Sequence, residues 1–237
     1  MAMSFNCKYS ILIAAFNEAE SIENCLRQVA AQTPEEAEIL VIDGGSDATE
    51  AIVTQIQLEI PRIRYIKNHN DRGKGHAIRR GIQEARGPIQ IQFDADLQFL
   101  PEDIMKLAKH VESGQCDVAL GSRFMPSSQK DKEASLLRNF GNFAISWYAS
   151  ILFGQRMSDV LAGIKAWSQH AAAVIDLQSD GFIYEVEIPA RGLQRGLCVR
   201  EFAVGTRARA AGESKVSILG SGSAILRDMT LLKWTKT

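Results

Sequence analysis

Tyr9-Ser-Ile-Leu-Ile-Ala-Ala15 is a short, nearly unbroken apolar run, and the stretch after it, over residues 18–31, has helical periodicity that ends near Pro34. A run without polar alternation is what a strand covered on both faces requires. The same alternation continues outward from it. Glu38–Ile42 reads as a second strand and 47–58 as a helix; Ile63–Ile66 reads as a third strand and 74–86 as a helix stopped by Gly87-Pro88. Ile89–Phe93 is a fourth strand, Pro101 opens the next helix with Glu102 and Asp103 in its first turn, and Asp117–Leu120 is a fifth strand. Strands alternating with helices predict an α/β fold: a mostly parallel, twisted sheet with helices on both faces. Right-handed crossovers then gather the loops after the strands at one edge, where such sheets bind ligands.

Composition narrows the function classes. The 237 residues carry a formal net charge of −1, so nothing draws the chain as a whole toward nucleic acid. Four cysteines (Cys7, Cys25, Cys116, Cys198) and four histidines are scattered without metal-ligand or redox spacing, which predicts reduced thiols, a cytoplasmic setting and no zinc site. The N-terminus lacks the apolar core of a signal peptide. No segment reaches the roughly 20 apolar residues of a spanning helix. Phe140–Phe153, with Trp147 and Tyr148, comes nearest, and reads as a core helix or as one lying on a membrane surface.

The polar motifs fall where the strands end. In Phe93-Asp94-Ala95-Asp96-Leu97-Gln98, two carboxylates one residue apart can turn toward one point, with Gln98 adding a neutral oxygen; hard cations such as Mg²⁺ and Mn²⁺ take such ligands and share them with phosphates. Taken alone, the pair is a weak motif that reads more readily as a solvated turn; its position at the sheet's carboxyl edge favours the cation. Val41-Ile-Asp43-Gly44-Gly45-Ser46-Asp47 offers Asp43 to a base or ribose and a Gly-Gly backbone that a planar ligand can approach, with Ser46 or Asp47 as helix cap. Arg72-Gly73-Lys74-Gly75-His76 lacks P-loop spacing, but a lysine opening a helix can meet an anion. Between 191 and 215, six cations face only Glu201 and Glu213; of these, Arg191 and Arg195 read as solvated surface charges.

Together these blocks resemble the inverting family 2 glycosyltransferases, specifically the branch of dolichol-phosphate mannosyltransferases and polyprenyl-phosphate glycosyltransferases. The match runs in order through Ser10–Glu18, Val41–Ser46, Lys74 with Gly81, Asp94–Gln98 with Pro101–Asp103, and Gly121-Ser-Arg-Phe124. It continues through Ser158-Asp159 with Gly163, Gly181-Phe182 with Glu185 and Glu187, and Arg209 to Lys215. Three departures stand out: Ala14 replaces the usual Pro, Gly44 replaces a second Asp, and Ser46–Thr49 is one residue short; they leave the donor base open.

The resemblance implies a GT-A fold over residues 1–215, followed by a helical tail at 216–237 that lies on a membrane or packs on the domain. It implies a nucleotide diphosphate-sugar donor bound by Ala14, Phe16, Glu18, Asp43, Lys74 and Asp94, and Mg²⁺ or Mn²⁺ held by Asp94, Asp96 and Gln98. Arg123, Arg138, Arg209 and Lys215 would surround the phosphate of a polyprenyl phosphate acceptor and the leaving group, making Asp96, Arg123, Arg209 and Lys215 the expected catalytic residues. The expected place is the cytoplasmic face of the membrane, at its surface or beside a membrane protein. A hydroxyl acceptor is the alternative, with Glu185 or Glu187 as base. A nucleotidyltransferase and a sugar-nucleotide-binding protein without activity are weaker rivals.

Overall fold

A computed structural model describes residues 6–128, 136–207 and 218–234, with side chains throughout except at 136–140 and 218–224. The first half alternates as expected: β1 (Tyr9–Ala15), α1 (Ile22–Gln32), β2 (Ala37–Asp43), α2 (Thr49–Glu59), β3 (Ile63–Lys67), α3 (Lys74–Glu84), β4 (Ile89–Phe93), α4 (Glu102–Glu112) and β5 (Val118–Ser122). There follow α5 (Leu136–Phe153), β6 (Ile164–Ser168), α6 (Gln169–Ile175), α7 (Tyr184–Gln194), β7 (Val199–Ala203) and α8 (Ile218–Trp234). The strands form one sheet in the order β3-β2-β1-β4-β6-β5-β7. All pairings are parallel except those of β6, which runs antiparallel between β4 and β5.

Side-chain alternation along β1 shows why the sheet needs two covers. Ile11 and Ile13 join α1, α2 and α4 in one core, whereas Leu12 joins α3, α5, α6, α7 and α8 in the other. The expected tail is therefore part of the domain: Ile225 and Met229 of α8 are buried with Ile145 and Ala149 of α5, and Tyr148 and Thr230 share a 2.8 Å hydrogen bond.

Several boundaries differ from expectation for local reasons. Residues 18–21 form a turn before α1, in which Ser21 Oγ donates to Glu18 Oε2 at 2.7 Å. Thr49 opens α2 and Ala48, not Ser46 or Asp47, takes the N-cap position; Asp47, one residue earlier, accepts from Thr49 N and Oγ1. Pro101 occupies the position before α4 rather than its first turn. β6 and β7 were not expected. Ile164-Lys-Ala-Trp-Ser168 places Lys165 at 0% exposure, where a lysine ordinarily marks a solvent-facing position.

Candidate active site

β1, β2 and β4 end side by side, since β1 pairs in parallel with both neighbours. Asp43 closes β2 opposite Ala15. It is 1% exposed, and its oxygens accept from Gly45 N (2.8 Å) and the Tyr65 hydroxyl (3.0 Å). Ser46 N donates to Asn17 Oδ1 at 2.9 Å, tying this turn to the end of β1. The glycines are required by the chain's own packing. A Cβ on Gly44 would stand 2.5 Å from Asp71 Cγ, and one on Gly45 2.5 Å from Asn17 N. Asp43, expected on the nucleotide, thus organises the turn. Of the other residues expected there, Ala14 packs against the second core, Glu18 holds Ser21, and Phe16 leaves half its surface exposed at the edge.

Asp94 and Asp96 follow β4 directly. Between Asp96 and Gln98, Leu97 is fully buried yet has φ +55°, a left-handed conformation that costs a non-glycine residue about 1–2 kcal/mol. Packing and polar contacts impose it. Gln98 N donates to Asp96 Oδ1 (3.0 Å), Arg207 Nε to Leu97 O (2.9 Å), and Arg207 N to Gln98 O (3.0 Å). A bridge between Phe99 and Thr206 continues this pairing. The acidic loop is thereby held by the segment Gly205–Arg207, which follows β7.

Asp94 is enclosed. Burial pushes its carboxyl up to about 6; Lys74 opposes that, and Asp96 and Glu185 add to it. Lys74 Nζ lies 2.6 Å from Asp94 Oδ1 and 3.2 Å from Glu185 Oε1, with the Tyr184 ring 5.8 Å away. Burial works against the ammonium, but Asp94 and Glu185 outweigh it and raise its pKa. Glu185 also accepts from Lys165, from the Tyr184 hydroxyl (2.5 Å) and from Gln92 Nε2 (3.0 Å). Burial disfavours its charge, yet Lys165 and Lys74 hold it below the usual carboxylate range. Lys165, Tyr184 and Gln92 belong to this cluster although no motif in the sequence indicated them.

The oxygens present suit a hard cation. Asp94 Oδ1 is buried and receives no well-directed hydrogen bond, Asp96 stands two residues on, and Gln98 adds an amide oxygen. Among the described residues there is no group of three or more His, Cys, Asp or Glu side chains that could enclose a metal.

The expected acceptor cations divide. The Arg123 guanidinium forks onto Asp159, with Nε–Oδ2 and Nη2–Oδ1 both 2.7 Å, and lies 5.6 Å from the Phe99 ring. Arg138 falls in α5, but its side chain lies outside the described residues, as do Arg209 and Lys215 altogether. Glu187 sits at 0% exposure, accepts from Gln178 N and Ser179 N, and pairs with Arg191 Nε at 2.6 Å, so its carboxylate is engaged within the protein. Arg191 is therefore a buried ion-pair partner, not a solvated charge, and Arg195 donates to Val174 O.

Residues 10–174 match the family model for glycosyl transferase family 2. Glycosyltransferase AglD of Haloferax volcanii is 31% identical over 95% of this chain, which spans only 38% of that protein. The polyprenol monophosphomannose synthase of Mycolicibacterium smegmatis is 27% identical over 87% of this chain and 80% of its own length. The glucosyl-3-phosphoglycerate synthase of Mycobacterium tuberculosis, crystallised with Mn²⁺, UDP and product, superposes with a TM-score of 0.71 at 20% identity, over 95% of this chain and 78% of that one. Sheet order, edge motifs and sequence therefore agree, and the chain has a GT-A fold and belongs to glycosyl transferase family 2.

Proposed function

We propose that this protein moves a hexose, with inversion, from a nucleotide diphosphate-sugar to a polyprenyl phosphate. The observation that carries the acceptor class is the engagement of both candidate bases: Glu185 lies between two lysines, and Glu187 is buried on Arg191 and two amides. A sugar hydroxyl needs a base to remove its proton. A phosphate monoester, with a second pKa of about 6, arrives already charged. Relatives named for polyprenol, dolichol and undecaprenyl phosphates support the same acceptor.

In this reading Asp94, Asp96 and Gln98 hold Mg²⁺ or Mn²⁺, which would supply positive charge to the donor diphosphate. Phe16, at the end of β1, borders the donor, and Asp43 keeps the β2 turn in shape beside it. An acceptor phosphate oxygen attacks the anomeric carbon from the face opposite the diphosphate. The new C–O bond forms as the bond to the diphosphate breaks, and the nucleoside diphosphate leaves. Arg123, Arg138, Arg209 and Lys215 would gather the acceptor phosphate and balance charge on the leaving group.

The acceptor lies in a bilayer, and the protein offers a surface suited to one. Phe143, Trp147 and Ile151 are each more than half exposed and follow one another at four-residue spacing on α5; Leu231 and Trp234 are exposed on the adjoining α8. No helix among the described residues is long and apolar enough to cross a membrane, so this reading is of peripheral attachment at the cytoplasmic face.

The test is an incubation of purified protein, Mg²⁺ or Mn²⁺ and a short polyprenyl phosphate with labelled nucleotide sugars. Chelator-sensitive label in the organic phase is expected. Label confined to water, with donor consumed, would transfer the assignment to a hydroxyl acceptor.

A further inference from the structure

Lys165 has no route to a ligand: it is completely buried in the middle of β6, between β4 and β5. Its ammonium nevertheless reaches the acidic loop in two ways. It donates to Glu185 Oε2, while Glu185 Oε1 stands 3.2 Å from Lys74, whose ammonium is 2.6 Å from Asp94 Oδ1. It also donates to Ala162 O at 2.5 Å, and the next residue, Gly163, packs so tightly on Asp94 that a Cβ there would overlap the carboxylate. Four charges of alternating sign thus run from the sheet interior to Asp94, with a second, backbone route beside them.

We infer that Lys165 is a positioning residue for the donor site, one that stops Glu185, which already accepts from Lys74, from drawing it off Asp94, and that keeps the Ala162–Gly163 backbone against Asp94. The inference rests on reading Asp94 as part of that site. With Lys165 neutral, Glu185 would draw on the Lys74 ammonium for its compensation. Two carboxylates compete for that one cation, and the more deeply buried of them, Glu185, gains more from holding it, because Coulomb attraction grows as solvent is removed. Asp94 would then lose its partner and its fixed orientation together.

The test compares wild type, Lys165→Met and Lys165→Met/Glu185→Gln. Crystal structures give the position of Lys74, and calorimetry with Mn²⁺ plus UDP or GDP gives donor-site affinity. In Lys165→Met, Lys74 is expected to leave Asp94 for Glu185, and Mn²⁺–nucleotide affinity to fall at least tenfold. The double variant removes the competing carboxylate charge, so Lys74 should return to Asp94 and most of the affinity with it. A purely structural lysine would give a double variant no better than the single one. The inference is overturned if Lys74 stays on Asp94 in Lys165→Met, or if affinity is not recovered in the double variant. Should Lys165→Met fail to fold, the double variant decides alone, because neutralising a buried pair together is tolerated better than breaking it; a tenfold loss there overturns the inference. If wild type binds neither nucleotide with Mn²⁺, the donor reading fails, and the position of Lys74 in the variants still decides whether Lys165 positions it.

Discussion

Gly163 lies against the Asp94 carboxylate so closely that a Cβ at 163 would stand 2.8 Å from Oδ1 and nearer still to Oδ2. The contact joins two loops distant in sequence: Asp94 leaves β4, and Gly163 enters β6, the strand that pairs with it antiparallel. The glycine is needed here for space, since it has no left-handed φ to accommodate.

Gly163→Ala should therefore displace Asp94 while leaving the sheet intact. Transfer is expected to fall at least 100-fold, equivalent to about 2.7 kcal/mol of barrier, with an unchanged circular dichroism spectrum. Retention of more than a tenth of wild-type activity would show that Asp94 need not stay where it is.

Asp96→Ala removes one of the two carboxylates after β4 and should abolish transfer. In the wild type a chelator should do the same, and excess Mn²⁺ or Mg²⁺ should restore it. Full activity in the presence of chelator would remove the cation from the scheme.

Asp94 also links activity to stability. Its carboxyl is raised to about 6, chiefly by burial, so the folded chain keeps a proton that the unfolded chain releases near pH 4. The stability from this group is complete below about pH 4 and is lost as the pH rises through 6. Asp94→Asn is free of that loss. Ligand-free Asp94→Asn should gain stability over wild type, with the advantage on the order of 2 kcal/mol larger at pH 8 than at pH 4. Denaturant melts at the two pH values measure this directly, and an advantage independent of pH would contradict the assignment.

The first half of the fold was legible because each strand there is an apolar run and each helix has its own stop signal. The mostly parallel sheet, the helices on both faces and the loops meeting at one edge followed from that, whereas the strand order did not. β6 was not legible, since Lys165 and the flanking glycine and serine disguise a strand whose lysine is paired inside the protein. Asp94 and Asp96 were visible by position. Their supports were not, because the pairing of Lys74 with Glu185 spans 111 residues and no local pattern encodes it. The surroundings of Glu187, a base only in the alternative reading, were not legible for the converse reason. A glutamate beside a motif residue suggests chemistry, but only its burial, its two backbone N–H donors and its Arg191 ion pair reveal a structural role.

Glu187→Gln tests that distinction. The substitution leaves Arg191 buried without its anion and turns an amide group toward backbone N–H donors at Gln178 and Ser179. Breaking a buried pair in this way costs about 3–5 kcal/mol, which lowers the melting temperature by roughly 2–4 °C per kcal/mol for a chain of this size. The folded fraction should retain kcat within threefold. A stable variant with kcat reduced 100-fold would return Glu187 to the chemistry.

Arg207 offers the sharpest separation of geometry from stability. Its Nε holds the Leu97 carbonyl at 2.9 Å, its own backbone N–H holds Gln98 O at 3.0 Å, and its Nη2 reaches Gln28 on α1 at 2.7 Å. Leu97 stays buried without Arg207, so the core keeps its packing. What is lost is the side-chain bond that holds the left-handed peptide between Asp96 and Gln98, and a peptide with an alternative of lower energy will take it. Arg207→Ala should thus cost about 1–3 kcal/mol of stability, the ordinary value of its two side-chain hydrogen bonds, and 10- to 100-fold in kcat/KM. Arg207→Lys cannot reproduce the fork between Leu97 O and Gln28 and should recover little of the loss. Steady-state kinetics beside thermal melts decide the matter: equal, small effects on both would mean that the acidic loop holds its shape through Leu97 packing alone.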